Sequence, residues 1–218
     1  MNPGLGDLVL EGRHVRLEPL APRHRDALLR AAAHAEIWTW FAGADPTTPE
    51  GMDAWLVAAF VAAAEGSQRP FAVVLAGSGE VIGSTRYCDI HPEHRTLEVG
   101  YTWYRPDAWG TPVNPESKIL LFRHAFEDWG ARRVSLKTDH MNARSQAAIR
   151  KLGAREEGIL RNDRLRRDGT QRHTVVFSIT AEEWPDVQQG LVRRIQNQGG
   201  DLAHRPAPGP GGGAVDVP

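Results

Sequence analysis

Reading from the N-terminus, apolar positions recur first with a period of two and then with a period of 3.6, the signatures of strand and helix. In HVRLEPL, Val15 and Leu17 alternate with polar neighbours as in a strand. HRDALLRAAAHAEI then predicts a helix that runs into an aromatic cluster of Trp38, Trp40 and Phe41. A second helix is expected from near Thr48, with Pro49 in its first turn and Trp55, Leu56, Ala59 and Phe60 pointing inward. PFAVVLAGSGEVIGSTRYCDI holds two apolar runs separated by AGSGE, which has the composition of a hairpin turn. TLEVGYTWY reads as the next strand, with Leu97, Val99, Tyr101 and Trp103 on one face and Glu98 and Gly100 on the other.

That strand feeds YRPDAWGTPVNPES, after which Asn114 is a suitable N-cap and Pro115 a suitable first helical residue. Ile119, Phe122, Phe126 and Trp129 make the apolar stripe of the helix, and Gly130 closes it. RRVSLKTDH is a strand carrying Val134 and Leu136, and NARSQAAIRKL is a short helix stopped by Gly153. Two further strands flank RRDGT, the second alternating Val175, Phe177 and Ile179. The order of elements predicts an α/β (α+β) domain with a mixed, mostly antiparallel sheet of about seven strands flanked by helices. Residues 1–196 form that domain. From 197 to 218, ten of 22 residues are Gly or Pro, too few side chains to offset ordering entropy by burial, so a flexible tail is expected.

Composition removes some function classes. The formal net charge of -1, from 26 basic and 27 acidic residues, supplies no global field for nucleic acid or an anionic membrane. Cys88 has no second cysteine to pair with, and MNPGLGDL offers no apolar export segment, so a cytoplasmic location is the expectation. AWLVAAFVAAAEG is too short to span a bilayer.

Chemistry concentrates in the loop before the long helix. A helix N-terminus presents unpaired amides and partial positive charge, a seat for phosphate, although a strand-to-helix connection of this composition also occurs without a ligand. Trp109, Gly110, Thr111, Val113 and Asn114 can offer main-chain donors there, whereas Pro112 and Pro115 cannot. His91 and His94 in HPEH lie three apart with no third ligand evident, so a surface turn is expected and no metal. RNDRLRRDGTQRH gathers Arg161, Arg164, Arg166, Arg167, Arg172 and His173 into one hairpin, either a solvated turn or a surface for an acidic peptide, RNA or an anionic acyl group. Trp38, Trp40 and Phe41, beside Arg86 and Tyr87, are either core or the lining of an acceptor pocket.

The run from EVGYTWYRPDAWGTPVNPESKILLF through KTDHMNARSQAAIRKLGAREEGILR, with RLEPL before it and VVFSITAEEW after it, resembles the GCN5-related N-acetyltransferases, in particular the branch that acetylates ribosomal-protein N-termini. The resemblance implies splayed central strands with acetyl-coenzyme A as cosubstrate lying between them, its pyrophosphate on the loop. By that resemblance Trp103, Tyr104, Trp109, Gly110, Thr111, Val113, Asn114, Asn142 and Ser145 contact the coenzyme. Glu98, on the strand just before the loop, is the best-placed base for the acceptor amine, working through a water, or else it is a solvated strand residue or half of a structural ion pair. Ser145 occupies the serine of an NxxS motif near the sulfur, or else belongs simply to the cap formed by Asn142. Many relatives place a tyrosine seven residues after the motif asparagine to protonate the departing thiolate; here that position is Ile149. A main-chain N–H near Trp103 or Tyr104 is expected to stabilise the developing oxyanion. The loop departs from the family pattern at Asp107, which would set a negative charge near the pyrophosphate, and at Pro112. Acetyl transfer to a primary amine, most specifically a protein or peptide N-terminus, is the function so implied. A small-amine acetyltransferase and a catalytically idle acyl-coenzyme A sensor remain the alternatives. A homodimer is compatible with this reading; membrane and direct nucleic-acid contacts are not expected.

Overall fold

Strand pairing organises the molecule, which we describe from a computed structural model covering Leu5, residues 8–43 and residues 45–198. The strands are β1 (Leu10–Glu11), β2 (Val15–Pro19), β3 (Arg69–Leu75), β4 (Val81–His91), β5 (Thr96–Tyr104), β6 (Arg133–Asp139), β7 (Arg155–Leu165) and β8 (Gln171–Thr180). They form one sheet in the order β1-β2-β3-β4-β5-β6-β8-β7, antiparallel at every step except β5 to β6. The helices are α1 (Arg25–Ala31), α2 (Pro49–Ala64), α3 (Val113–Arg123), α4 (Ala143–Arg150) and α5 (Trp184–Gln198). Two elements lie outside the expected order: the two-residue β1, too short for a periodic signal, and α5. The first two residues of the expected tail, Asn197 and Gln198, belong to α5; the rest of it lies outside the described residues.

The central strands β3 and β4 are buried on both faces, whereas β7 at the edge is exposed throughout, and alternation along the inner strands assigns each side. Phe71, Val73, Leu97 and Val99 face α3 and α5, joining Ile119, Phe122, Trp184 and Leu191 in the larger core. Ala72 and Trp103 face α1 and α2 and pack with Leu28, Met52, Leu56 and Ala59. α2 starts as expected, the Thr48 hydroxyl accepting the Gly51 N–H at 3.1 Å.

Two local expectations are corrected. Leu97, Val99, Tyr101 and Trp103 do not share a face. Arg86 pairs with Gly100 but Ser84 with Trp103, so one extra residue is inserted in β5, a bulge that carries Tyr101 at φ 51°. Tyr101 is thereby turned outward and Trp103 delivered to the α1/α2 side. α3 begins at Val113, one residue before the expected cap. The Val113 N–H is taken by the Thr111 hydroxyl at 3.3 Å and the Glu116 N–H by the Pro112 carbonyl at 2.9 Å, so winding starts early. Asn114 consequently does not cap; its Oδ1 accepts the Tyr104 hydroxyl at 3.3 Å. The helix continues through a π turn, His124–Asp128, in which the Trp129 N–H reaches the His124 carbonyl at 3.0 Å.

Candidate active site

The cleft exists because β5 and β6 pair only at their beginnings. Thr96 meets Arg133, Leu97 meets Val134 and Glu98 meets Ser135, and there the ladder stops. Two residues later the bulge bends β5 away, and residues 99–104 and 136–139 border a cavity of about 300 Å³.

The loop that opens α3 lies at the mouth of this cavity. Of its five expected donors, three are used internally, which corrects the sequence reading. The Trp109 N–H donates to Pro106 at 3.0 Å, the Thr111 N–H to Ala108 at 3.4 Å, and Val113 to Thr111 as above. The Thr111 hydroxyl is also turned inward, donating to Ala108 at 2.6 Å. The amides of Gly110 and Asn114 form no hydrogen bond among the described residues, and both residues line the cavity. Gly110 holds φ 75°, a conformation that lets the backbone turn its amide outward at no steric cost. Asp107 does not confront this seat. Its carboxylate is engaged by the Arg105 guanidinium at 2.8 Å, which holds it below the usual carboxylate range and is itself tied to Glu80.

Of three cations around the cleft, Arg144 and Lys118 were missed by sequence reasoning and Arg172 was named only as part of the hairpin. Arg144 is exposed, lines the cavity and stacks over the Trp109 ring at 3.6 Å, while the Trp109 indole donates to the Tyr104 carbonyl at 3.0 Å. Its signal was its place in NARS: a cation in the first turn of a helix opposes the helix dipole and needs another partner. Arg172, from the hairpin read as a solvated turn or an anion surface, also lines the cavity. Its neighbour Arg166 instead grips the buried Asp139 at 2.7 and 3.0 Å and pins the β7–β8 hairpin to the end of β6. Lys118, one helical turn beyond Asn114, borders the cavity from α3 although only 3% exposed.

On α4, Asn142 and Ser145 both line the cavity, and the Asn142 side chain caps the helix by accepting the Ser145 N–H at 3.0 Å. Ile149, at the position where relatives place tyrosine, is an apolar part of the same wall. Trp103 and Tyr104 border the cleft from β5.

Glu98 does not itself border the cavity; it pairs with Lys137, which does, at 2.9 Å. It lies beside Gly100, where an added Cβ would come within 2.8 Å of Glu98 Oε1, so the missing side chain keeps a path open between carboxylate and cleft.

The four acceptor-side candidates separate. Trp40 lines the cavity. Trp38 stands behind it, its indole donating to Ala32 at 2.9 Å and its ring 5.0 Å from Trp103. Arg86 is 3% exposed, held between Trp55 at 4.9 Å and Tyr101 at 4.3 Å; Nη1 donates to Gln68 while Nε and Nη2 lack partners among the described residues. Tyr87 is a correction. It is fully buried on the α3 side, with its hydroxyl donating to the Leu121 carbonyl at 2.6 Å, because alternation along β4 turns it away from Arg86. Among the described residues no group of three His, Cys, Asp or Glu could hold a metal ion, and no helix is long and apolar enough to cross a membrane.

A loop with free amides, a cleft between parting strands and cations at its rim are the features of an acyl-coenzyme A site, and sequence comparison agrees. The family model for the acetyltransferase (GNAT) domain matches residues 14–155, so the chain belongs to the GNAT acetyltransferases, enzymes dependent on acyl-coenzyme A. A T. thermophilus chain described as a candidate acetyltransferase is 41% identical, with a TM-score of 0.78 over 86% of this chain and 96% of that one. Mycobacterium smegmatis RimJ in complex with CoA-disulfide is 25% identical, with a TM-score of 0.72 over 85% of this chain and 91% of that one. A Bacillus licheniformis protein called uncharacterized N-acetyltransferase p20 is 27% identical over 120 residues, 55% of this chain and 66% of that relative, slightly less than two thirds of its length.

Proposed function

We propose that this protein transfers the acetyl group of acetyl-coenzyme A to the amine of a protein or peptide N-terminus. The observation that most supports the reading is the early end of the β5–β6 ladder, with the free amides of Gly110 and Asn114 at the mouth of the gap it leaves. Those two amides and the Arg144 guanidinium would hold the pyrophosphate, the cation replacing donors lost inside the loop. The arm would lie between β5 and β6 against Trp103, Tyr104 and Ile149. When bound, the coenzyme supplies the thioester carbonyl that the amine attacks. The Tyr104 N–H would meet the developing oxyanion: Arg105 donates to the Ile82 carbonyl of β4 at 2.8 Å, so alternation along the strand turns the Tyr104 main-chain groups away from β4 and toward the gap.

Glu98 would take the acceptor proton through a water, as it lies on the α1/α2 side of β5, opposite the face that carries Thr102 toward α3. Deprotonating an α-amine near neutral pH costs about 1 kcal/mol, against about 4 for a lysine-like amine, so a lone carboxylate suits an N-terminal acceptor. The relative solved with a coenzyme A disulfide supports the donor side, and the resemblance to the N-terminal branch supports the acceptor. Ser145 would orient the sulfur. The test is release of free thiol from acetyl-coenzyme A with a panel of N-terminal peptides and small amines. Peptide-dependent release, slowed at least tenfold by Glu98→Gln with little change in coenzyme affinity, is expected; thiol release only with small amines would overturn the acceptor assignment, and tight coenzyme binding with no release would favour a sensor.

A further inference from the structure

Among 26 basic residues the chain uses only three lysines, Lys118, Lys137 and Lys151, and two of them border the cleft. Arginine cannot give up its proton at accessible pH and lysine can, so the choice matters where a cation is buried. Lys137 is paired, to Glu98 at 2.9 Å and to Asp89 at 3.1 Å. Lys118 has no carboxylate within ion-pairing distance among the described residues. Its Nζ donates to the Thr102 hydroxyl at 2.5 Å and the Thr85 hydroxyl at 3.3 Å, and those two hydroxyls bond each other at 2.8 Å. Thr102 belongs to the bulge that splits the strands, so the amine is anchored at the start of the cleft, on the side of β5 opposite Glu98.

We propose that Lys118 is the acid of the transfer, holding at Nζ the proton that the coenzyme sulfur takes up as it departs. This rests on the acetyltransferase reading above. The bond balance is complete. The acceptor nitrogen forms the new C–N bond and its proton leaves toward Glu98; the C–S bond breaks with its electron pair on sulfur; Lys118 passes a proton to that sulfur and is recharged from solvent. The role is open because Ile149 stands where relatives place tyrosine and a serine hydroxyl such as that of Ser145 is a poor acid.

The surroundings suit the role. Burial pushes the Lys118 ammonium down to about 7, close to operating pH, where an acid is both populated and willing to give its proton. The titratable groups around it do not compete. From β4 the buried Cys88 thiol and Tyr87 hydroxyl, and from β5 the Tyr104 hydroxyl, are pushed upward by burial and stay neutral. On β5, Glu98 belongs to the other face, and Tyr101 is turned outward. On its own helix, Glu116 points to the turn before β2. Across the cleft, Lys137, Asp139 and Arg172 are held by Glu98, Arg166 and Thr174.

With three lysines, full-length protein labelled at the lysine ε-carbons gives a spectrum simple enough to titrate directly. One signal with a midpoint near 7, absent in Lys118→Arg and displaced by added coenzyme A, is the expected result. Lys118→Met and Lys118→Arg are each expected to lose about 100-fold in kcat with the coenzyme dissociation constant within threefold of wild type. A Lys118 signal that titrates in the ordinary lysine range, with no transition near 7, overturns the assignment even if a variant fails to fold. So does a Lys118→Met enzyme that turns over normally. Failure of wild-type protein to bind coenzyme A in calorimetry would sink the acetyltransferase reading itself, whereas binding and turnover with an unaffected Lys118→Met would sink only the acid.

Discussion

Glu116 and Lys118 are two residues apart on α3 and both buried, yet the charge of one is satisfied and that of the other is not. Glu116 accepts three main-chain N–H groups, from Arg13 at 2.9 Å, His14 at 2.6 Å and Val15 at 2.8 Å, and so welds α3 to the start of β2. Lys118 has two threonine hydroxyls and an open cleft. A buried charge surrounded by fixed dipoles serves stability; one left short of partners beside a cavity costs stability and is explained only by what enters. The sharpest way to break that contrast is Glu116→Ala, which takes their acceptor from three amides in the turn before β2. A loss of about 3–5 kcal/mol in urea unfolding is expected. Lys118→Met, which removes an unpaired charge and keeps the volume, should change stability at pH 7 by less than about 1 kcal/mol or raise it. Equal losses in the two variants would erase the distinction.

Stability against pH sharpens the same comparison. The Lys118 ionisation is near 7 in the folded protein and near its ordinary 10.5 when unfolded. Between those values the unfolded chain binds the extra proton, so stability must rise with pH across that window and the penalty of the buried ammonium is largest below pH 7. From pH 7 to 9 this contributes at most about 3 kcal/mol, at about 1.4 kcal/mol per unit. The wild-type curve minus the Lys118→Met curve should carry that slope. A flat difference would mean the amine stays charged inside the fold.

Much of this architecture was legible because it rests on local periodicity. The α2 cap at Thr48, the stripe from Ile119 to Trp129 and the alternation of Val175, Phe177 and Ile179 all appear where patterning puts them. What failed to show was non-local. The face of Trp103 depends on a one-residue bulge whose strain at Tyr101 no propensity announces, and with it went the placement of the acceptor wall. Tyr87 looked available beside Arg86 in sequence, but neighbours on a strand face opposite ways. Lys118 was hidden by its helix: ESK after NP reads as an ordinary polar first turn, and only packing against Thr85 and Thr102 reveals a buried amine. The donors of the loop were over-counted for the same reason, since the amides of Trp109 and Thr111 were expected to face a ligand and instead close the turn.

On the coenzyme side, Arg144 and Asp107 form a smaller pair of contrasting charges flanking one loop. Arg144 is exposed, stacked on Trp109 at the cavity rim and otherwise uncommitted among the described residues, while Asp107 is bound to Arg105. Arg144→Ala should weaken coenzyme A binding about tenfold, the value of one charge-assisted phosphate contact, and the loss should shrink in high salt. Asp107→Asn should alter affinity by less than twofold. Calorimetry on the two variants decides between a loop whose charges are sorted and one where Asp107 reaches the phosphates after all.

The finest test addresses the hydroxyl that links the bulge to Lys118. Thr102→Val keeps the shape of the side chain and removes the acceptor at 2.5 Å, leaving the ammonium only the longer contact to Thr85. An oxygen lone pair favours the charged amine, so its loss must move the Lys118 ionisation further down. At pH 6 the amine remains largely protonated and turnover should stay close to wild type. At pH 7.5 the protonated fraction falls, and kcat should drop about threefold, the partial loss of a charge-assisted hydrogen bond whose place the Thr85 hydroxyl takes in part. A uniform loss at every pH would instead assign Thr102 to the path of β5 alone, because a displaced strand slows the enzyme without regard to proton concentration.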